Sequence, residues 1–184
     1  QADSDIQSIE DLQGKTVSIG AEESGSEQNA LQILSAYGLN DRLVDTINLN
    51  YTDAADQLKA GKIDAIVITV GIPNPVVTEL AGECGIRLLN VDGTAAQRLL
   101  SSYNAYREVT IPAGTYPGQD ADVQTVGVKA VLLASDSLPA KQVQQLTELL
   151  FSSREALEEQ LGLALDPETD AVEGVGIPFH AGAA

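Results

Sequence analysis

The feature that most constrains this chain is an alternation of strand-like and helix-like patterning. Residues 15–20, "KTVSIG", alternate apolar and polar side chains and end at a glycine, which predicts a strand. Ala30, Ile33, Leu34 and Tyr37 then recur at helical spacing, and Gly38 stands where a helix commonly stops. Residues 45–51, "DTINLNY", read as a second strand with Ile47, Leu49 and Tyr51 on one face. Thr52 or Asp53 then caps a short helix closed by Gly61. Residues 63–69, "IDAIVIT", read as a buried strand. Pro73 and Pro75 interrupt the chain before the helical stretch "VVTELAGE". Residues 86–91, "IRLLNV", read as a further strand, followed by a turn at Asp92-Gly93 and the amphipathic stretch "AAQRLLSSY".

Strands separated by helices predict an α/β fold with a mostly parallel sheet covered by helices on both faces. In such folds ligands sit beyond the carboxyl ends of the strands. That rule selects the loops at residues 20–27, 69–74 and 91–94. Residues 107–112 form another expected strand, followed by a Gly- and Pro-bearing loop over 113–122. The run "TVGVKAVLLAS", residues 125–135, is long and apolar enough to link two structural units. Two helical stretches, "PAKQVQQLTELLF" and "SREALEEQL", precede a tail without periodicity from residue 170 onward. The opening "QADSDIQ" has no basic-then-apolar signal pattern and reads as the interior of a longer protein or a processed terminus.

Composition narrows the function classes. The 184 residues are 43% hydrophobic, enough for a sizeable core, and carry a formal net charge of −17. A surface of that sign repels phosphate backbones and anionic lipids, so no nucleic-acid partner is expected. The longest apolar run, residues 65–72, is too short to span a bilayer. Cys84 is the sole cysteine and His180 the sole histidine, so neither an intrachain disulfide nor a histidine-rich metal site is available. No G-x-S-x-G, H-E-x-x-H or C-x-x-C pattern occurs, and acidic pairs such as Glu158-Glu159 are surface-like neighbours. Neither catalytic residues, nor a metal, nor a cofactor are expected.

The stretch "GAEESGSEQNALQIL" places two serines where a strand turns into a helix. Ser24 and Glu27 fit the capping box S-x-x-E, in which Ser24 accepts from the Glu27 amide and Glu27 reaches back. Alternatively Ser26 is the cap, with Glu27 favoured by the helix dipole. Free N–H groups and both hydroxyls there also suit an anion. Thr69 offers a hydroxyl at the end of the buried strand, and Gly71 allows close backbone approach. Tyr103, Tyr106 and Tyr116 each pair an apolar face with a polar tip, which suits either a ligand wall or edge packing.

Several of these segments, taken together and in order, resemble the TAXI-type solute receptors of tripartite ATP-independent periplasmic (TRAP) transporters. "SIEDLQGKTVSIGAEESGSEQNALQIL" is similar to the family's D-L-x-G-K-x-V-x-x-G-x-x-x-S-G-[ST]-E-x-N-A stretch. "AADQLKAGKIDAIVITVGIPNPVVTEL" is similar to the next block, which usually contains T-A-G-x-P. "IRLLNVDG" follows in place. "TIPAGTYPGQDADVQTVGVKAVLLAS" is the most specific match, and "IPFHAGA" resembles the terminal I-P-[LF]-H-x-G-A.

The resemblance implies a type II periplasmic-binding-protein-like α/β lobe over residues 9–125. Residues 126–184 would then be a partial return segment of the other lobe. It implies an extracytoplasmic, non-enzymatic receptor that closes on a small solute, such as an amino acid or organic acid, and delivers it to membrane permease subunits. Carried over position by position, the ligand-binding residues are Ser24, Gly25, Ser26, Glu27, Thr69, Gly71, Pro73, Tyr116, Gly118 and Gln119. The same architecture also serves as the ligand-sensing domain of regulators and membrane sensors, which is the alternative reading. The family's amino-terminal glycine-rich block has no counterpart here. Residues 128–133 would therefore lack sheet partners and invite the missing first lobe, or a second copy by strand exchange.

Two residues depart from the family pattern. Glu22-Glu23 stand where Pro-Gly is usual, and two unit charges 6 Å apart at an effective dielectric of about 20 repel by roughly 3 kcal/mol. If they face the cleft they oppose an anion and favour an ammonium. If they face water they change nothing.

Overall fold

The computed structural model describes residues 1–161 and 177–183. By contacts these divide into two compact units, Gln1–Gly127 and Val128–Ala184.

In the first unit, strands β1 (Thr16–Ser18), β2 (Asp45–Ile47) and β3 (Ala65–Ile66) form a parallel sheet in the order β2-β1-β3. Four helices accompany them: α1 (Gly25–Ala36), α2 (Tyr51–Lys59), α3 (Pro75–Glu83) and α4 (Gly93–Ser102). Period-2 side-chain alternation sorts the residues to the two faces. Val17, Ile19, Ala65 and Val67 join the core that contains Ala30 and Leu34 of α1. Ile47, Leu49 and Ile66 join the core built by Ala54, Ala55 and Leu58 of α2 with Leu80 of α3. Helices thus cover both faces, as the alternation predicts. α1 packs against α4, and α2 against α3. Lys59 bridges the latter pair, donating to Glu79 at 2.9 Å and Glu83 at 3.2 Å. These carboxylates hold the ammonium well above its ordinary pKa.

Strands β4 (Tyr106–Ile111) and β5 (Val123–Val128) form a separate two-stranded sheet. α4 packs against β4. Among the described residues no helix is long and apolar enough to cross a membrane.

Four expectations need correction. Tyr51 does not end the second strand; it opens α2, and Asn50 caps that helix by accepting from the Asp53 amide at 2.9 Å, so neither Thr52 nor Asp53 is the cap. The buried strand is shorter than 63–69, although Val67 still donates to the Ser18 carbonyl at 2.8 Å. Residues 86–91 belong to neither sheet. Their apolar side chains still alternate, Ile86 and Leu88 toward α3 and Leu89 and Val91 toward the α1 core. Their hydrogen bonds go elsewhere: Val91 donates to the Gln124 carbonyl, and Arg87 to the amino-terminal segment. The apolar run over 125–135 leaves the sheet at Val128, where β5 ends.

The second unit contains α5 (Ala140–Ser152) and α6 (Arg154–Leu161). Gly182 of the tail lies against the first turn of α5, where a Cβ would collide with the Ala140 carbonyl oxygen and stand 2.9 Å from the Gln144 nitrogen, so only glycine fits there. The expected aperiodic tail lies outside the described residues over 170–176. Apart from Leu31 and Tyr103, every exposed large apolar side chain described belongs to this unit, with Leu132 and Leu133 the most exposed at 69% and 70%.

Candidate functional site

The first two loops selected by the carboxyl-end rule follow β1 and β3, and a chain of hydrogen bonds joins them. Gly20 leaves β1 with φ +100° and lies against the start of α1; a Cβ there would sit 2.9 Å from Ser26 Cβ and 3.2 Å from the Glu27 nitrogen. Ser24 is the N-cap, and its hydroxyl accepts from the Glu27 amide at 3.1 Å. Such a cap contributes about 1 kcal/mol. Of the two capping alternatives, the structure selects Ser24.

Glu27 does reach back, but one residue further than a capping box requires. Its Oε2 accepts from the Glu23 amide at 2.7 Å, and its Oε1 from Asn48 Nδ2 at 2.8 Å. Asn48 Nδ2 also donates to the Gly20 carbonyl at 3.1 Å. Glu27 is therefore a latch between the turn and the segment after β2.

Ser26 faces the other way. Its hydroxyl bonds the phenol of Tyr51 at the start of α2. Tyr51 in turn donates to the Thr69 carbonyl at 2.9 Å and accepts from the Thr69 amide at 3.4 Å. Thr69 Oγ1 accepts from Asn29 Nδ2 at 3.3 Å, and Asn29 Oδ1 accepts from the Tyr106 phenol at 3.0 Å. Tyr106 also lies 2.8 Å from Gln32 Oε1. Burial, and secondarily the like-charged phenolate that Tyr103 would present, push the Tyr106 phenol up from its ordinary pKa, so it remains a proton donor. Ser26, Tyr51, Thr69, Asn29 and Tyr106 thus form one half-buried polar network drawn from α1, α2, the end of β3 and β4.

Gly71 and Pro73 are exposed in the same loop, and the Ile72–Pro73 peptide is cis. Asn74 then caps α3, with Pro75 as its first residue. Gly25 is exposed, with open space where a Cβ would be.

The loop over 113–122 is linked to this region through one side chain. Tyr116 is buried against Val77 and Ala81 of α3, and its hydroxyl accepts from the Asn74 amide at 3.0 Å. Gln119 is engaged within its own loop, donating to the carbonyls of Ile111 at 3.1 Å and Ala121 at 3.0 Å. Gly118 is exposed, with φ +76°. The structure therefore brings Ser26 and Thr69 together, places Ser24 and Glu27 in the framework beneath them, and holds Tyr116 under the neighbouring loop.

The third loop, 91–94, lies at the opposite end of α1. It borders an open groove of about 500 Å³ that also involves Tyr37, Asn90 and Arg98. Tyr37 donates to the Asp92 carbonyl and accepts from its amide, which fixes that rim. None of the residues carried over from the family pattern lines this groove.

Glu22 and Glu23 are both exposed. Glu23 nevertheless has φ +59°, a left-handed conformation that costs a non-glycine residue roughly 1 kcal/mol. Glycine, the residue more usual there, adopts it without strain. Glu23→Gly is expected to raise the unfolding free energy by about 0.5–1 kcal/mol. Urea denaturation would show this as a higher midpoint at unchanged slope, and an unchanged or lower midpoint would mean that the turn carries no strain.

Sequence reading did not single out Tyr51 or Asn29. The alternation over 45–51 puts Tyr51 on a strand face, and a local pattern carries no sign of its partner loop. The available signal was Asn50 followed three residues later by Asp53, an amide–acid cap pattern that moves Tyr51 to the first turn of a helix.

A parallel sheet sandwiched by helices, with its loops wired together beyond the strand ends, defines the class: a type II periplasmic-binding-protein-like lobe. Residues 1–184 match the model of the NMT1-like family, and the chain belongs to that family. Among solved structures it is similar to the periplasmic aliphatic sulphonate binding protein SsuA from Escherichia coli. The identity is 20% and the TM-score 0.48, over 88% of this chain and 48% of that one. The chain thus spans about half the length of that protein.

Proposed function

We propose that this chain is the ligand-closing lobe, residues 9–125, of an extracytoplasmic solute receptor of the TAXI type, serving a TRAP transporter. Residues 126–184 belong on this reading to the other lobe. The receptor captures a small solute such as an amino acid or organic acid, hands it to membrane permease subunits and performs no chemistry. The observation that carries the reading is the bridge Ser26–Tyr51–Thr69, which holds two loops at the carboxyl ends of neighbouring parallel strands in one polar wall. Enclosure between lobes supplies affinity, and polar groups of this kind fix the ends of the solute. The bare apolar side chains of Val131, Leu132 and Leu133 fit a segment that is covered by the rest of the first lobe.

The test is calorimetric titration of the full natural chain with amino acids and small carboxylic acids. Ser26→Ala is expected to weaken binding of whichever solute is captured at least several-fold while leaving the melting temperature within a few degrees. Unchanged affinity would remove this turn from the site, and no binding across the panel would remove the receptor reading.

A further inference from the structure

We propose that Tyr51 sets the hydrogen-bond polarity of this wall: by accepting the Ser26 proton it turns Ser26 into an acceptor toward the solute. The proposal rests on the solute-receptor reading for its ligand, but its proton assignment stands on geometry.

A phenol has one proton to donate and lone pairs to accept with. Tyr51 donates that proton to the Thr69 carbonyl at 2.9 Å. A carbonyl has no proton to return, so the direction is unambiguous. The Thr69 amide points back at the phenol oxygen at 3.4 Å, as a donor. The remaining contact of that oxygen is the Ser26 hydroxyl, and Tyr51 can only accept there. Ser26 must therefore be the donor. Its single proton is committed, and what it turns outward is lone pairs.

Thr69 Oγ1 lies 3.3 Å from Asn29 Nδ2 and completes the wall beside Ser26.

The surroundings add a sign. The segments that build the wall, residues 20–29, 48–53 and 67–74, contain Glu22, Glu23, Glu27 and Asp53 but no Lys or Arg. Glu27 is taken up by the Glu23 amide and Asn48, and Asp53 by Asn50. The field favours a neutral or cationic donor at Ser26 and gives a bare anion no side-chain counter-charge. The solute group that fits is one that donates to Ser26, such as an ammonium or hydroxyl. A simple carboxylate or sulfonate offers acceptors only and meets lone pairs at Ser26.

The experiment has two arms on the full natural chain. In the first, calorimetry compares L-alanine, L-lactate and propionate, and their homologues up to six carbons, which share a carboxylate and differ in the donor on the adjacent carbon. We expect the donor-bearing members to bind at least ten-fold tighter than the bare carboxylate. Tyr51→Phe should shrink that ratio to within about three-fold, because Ser26 regains a free proton. A ratio that Tyr51→Phe leaves unchanged overturns the proposal. In the second arm, NMR with selectively labelled Ser, Thr and Tyr locates the hydroxyl protons without any solute. The Tyr51 hydroxyl proton is expected near the Thr69 carbonyl and the Ser26 proton near the Tyr51 ring. A Tyr51 proton directed at Ser26 overturns the assignment. Absence of binding across the whole series counts against the receptor reading alone, since the second arm still decides the polarity.

Discussion

Replacing Gly20 by alanine is expected to lower the unfolding free energy by about 3 kcal/mol. Two costs combine. The residue leaves β1 with φ +100°, where an L side chain is strained by roughly 1–2 kcal/mol. The added methyl would also sit 2.9 Å from Ser26 Cβ, 3.2 Å from the Glu27 nitrogen and 3.3 Å from Ser24 Oγ. Those atoms are the first turn of α1 and its cap, not the ends of flexible side chains, so the helix itself must give way. Overpacking of this kind costs about 1–3 kcal/mol. The comparison variant is Gly25→Ala, five residues on, where nothing lies within 4 Å of a Cβ. There the lost glycine entropy should leave stability unchanged or raise it by up to about 1 kcal/mol. Urea denaturation of the pair reads the difference directly. Because α1 carries Ser24, Ser26 and Asn29, Gly20→Ala should also impair the wall, seen as faster exchange of the Ser26 and Glu27 amides. A Gly20→Ala protein within 0.5 kcal/mol of its parent would show that the close approach of strand end and helix start is not a requirement of the fold.

The second large effect is expected at Arg87. Its guanidinium donates to three backbone carbonyls of the amino-terminal segment: Ala2 at 2.6 Å, Ile6 at 2.6 Å and Ser4 at 3.3 Å. The Ala2 amide returns a bond to the Gly85 carbonyl at 3.1 Å. The segment so held delivers Ile6 and Ile9, each 5% exposed, to the α1 core. Charge-assisted bonds to carbonyls contribute about 1.5–3 kcal/mol each, less where water reaches them. Arg87→Met keeps the apolar stem and removes all three, with an expected loss of about 3 kcal/mol for the segment. Hydrogen exchange reads this locally: amides around residues 6–12 should exchange about two orders of magnitude faster, while those of α3 stay unchanged. Arg87→Lys should recover little, since an ammonium has no planar fork to reach carbonyls on both sides. Unaltered protection in Arg87→Met would mean that apolar burial of Ile6 and Ile9 alone holds the segment.

The two variants show where sequence reading stops. Gly20 was legible as a strand end, but the reason it must be glycine is the nearness of Ser26, and nearness is not written in a local pattern. Arg87 lies inside an apolar run whose alternation predicts a strand. Its alternation is real, since Ile86 and Leu88 pack on one side and Leu89 and Val91 on the other. Ladder bonds need a partner backbone in register, however, and here Arg87 and residues 2–6 occupy that flank. A serine cap on α1 is legible because capping is local, with hydroxyl and amide three residues apart, but only the structure chooses Ser24 over Ser26. The reach of Glu27 to Glu23 rather than Ser24 is not legible, because it depends on a left-handed turn at a glutamate.

The sequence by itself determined the class of fold. Apolar periods of two and of 3.6 residues dictate which segments extend and which coil, and their alternation leaves a parallel sheet with helices on both faces as the arrangement that buries both sides. It also marked several helix ends, through Gly38, Gly61 and Pro75, since these act on their immediate neighbours. Only the tertiary structure decided the wiring of the wall. Ser26 and Tyr51 are separated by 25 residues, Tyr51 and Thr69 by 18, and Asn29 and Tyr106 by 77. A hydrogen bond between such residues exists only after packing has placed both atoms within about 3 Å, and the packing that does so is set by the cores on either side of the sheet rather than by the polar residues themselves.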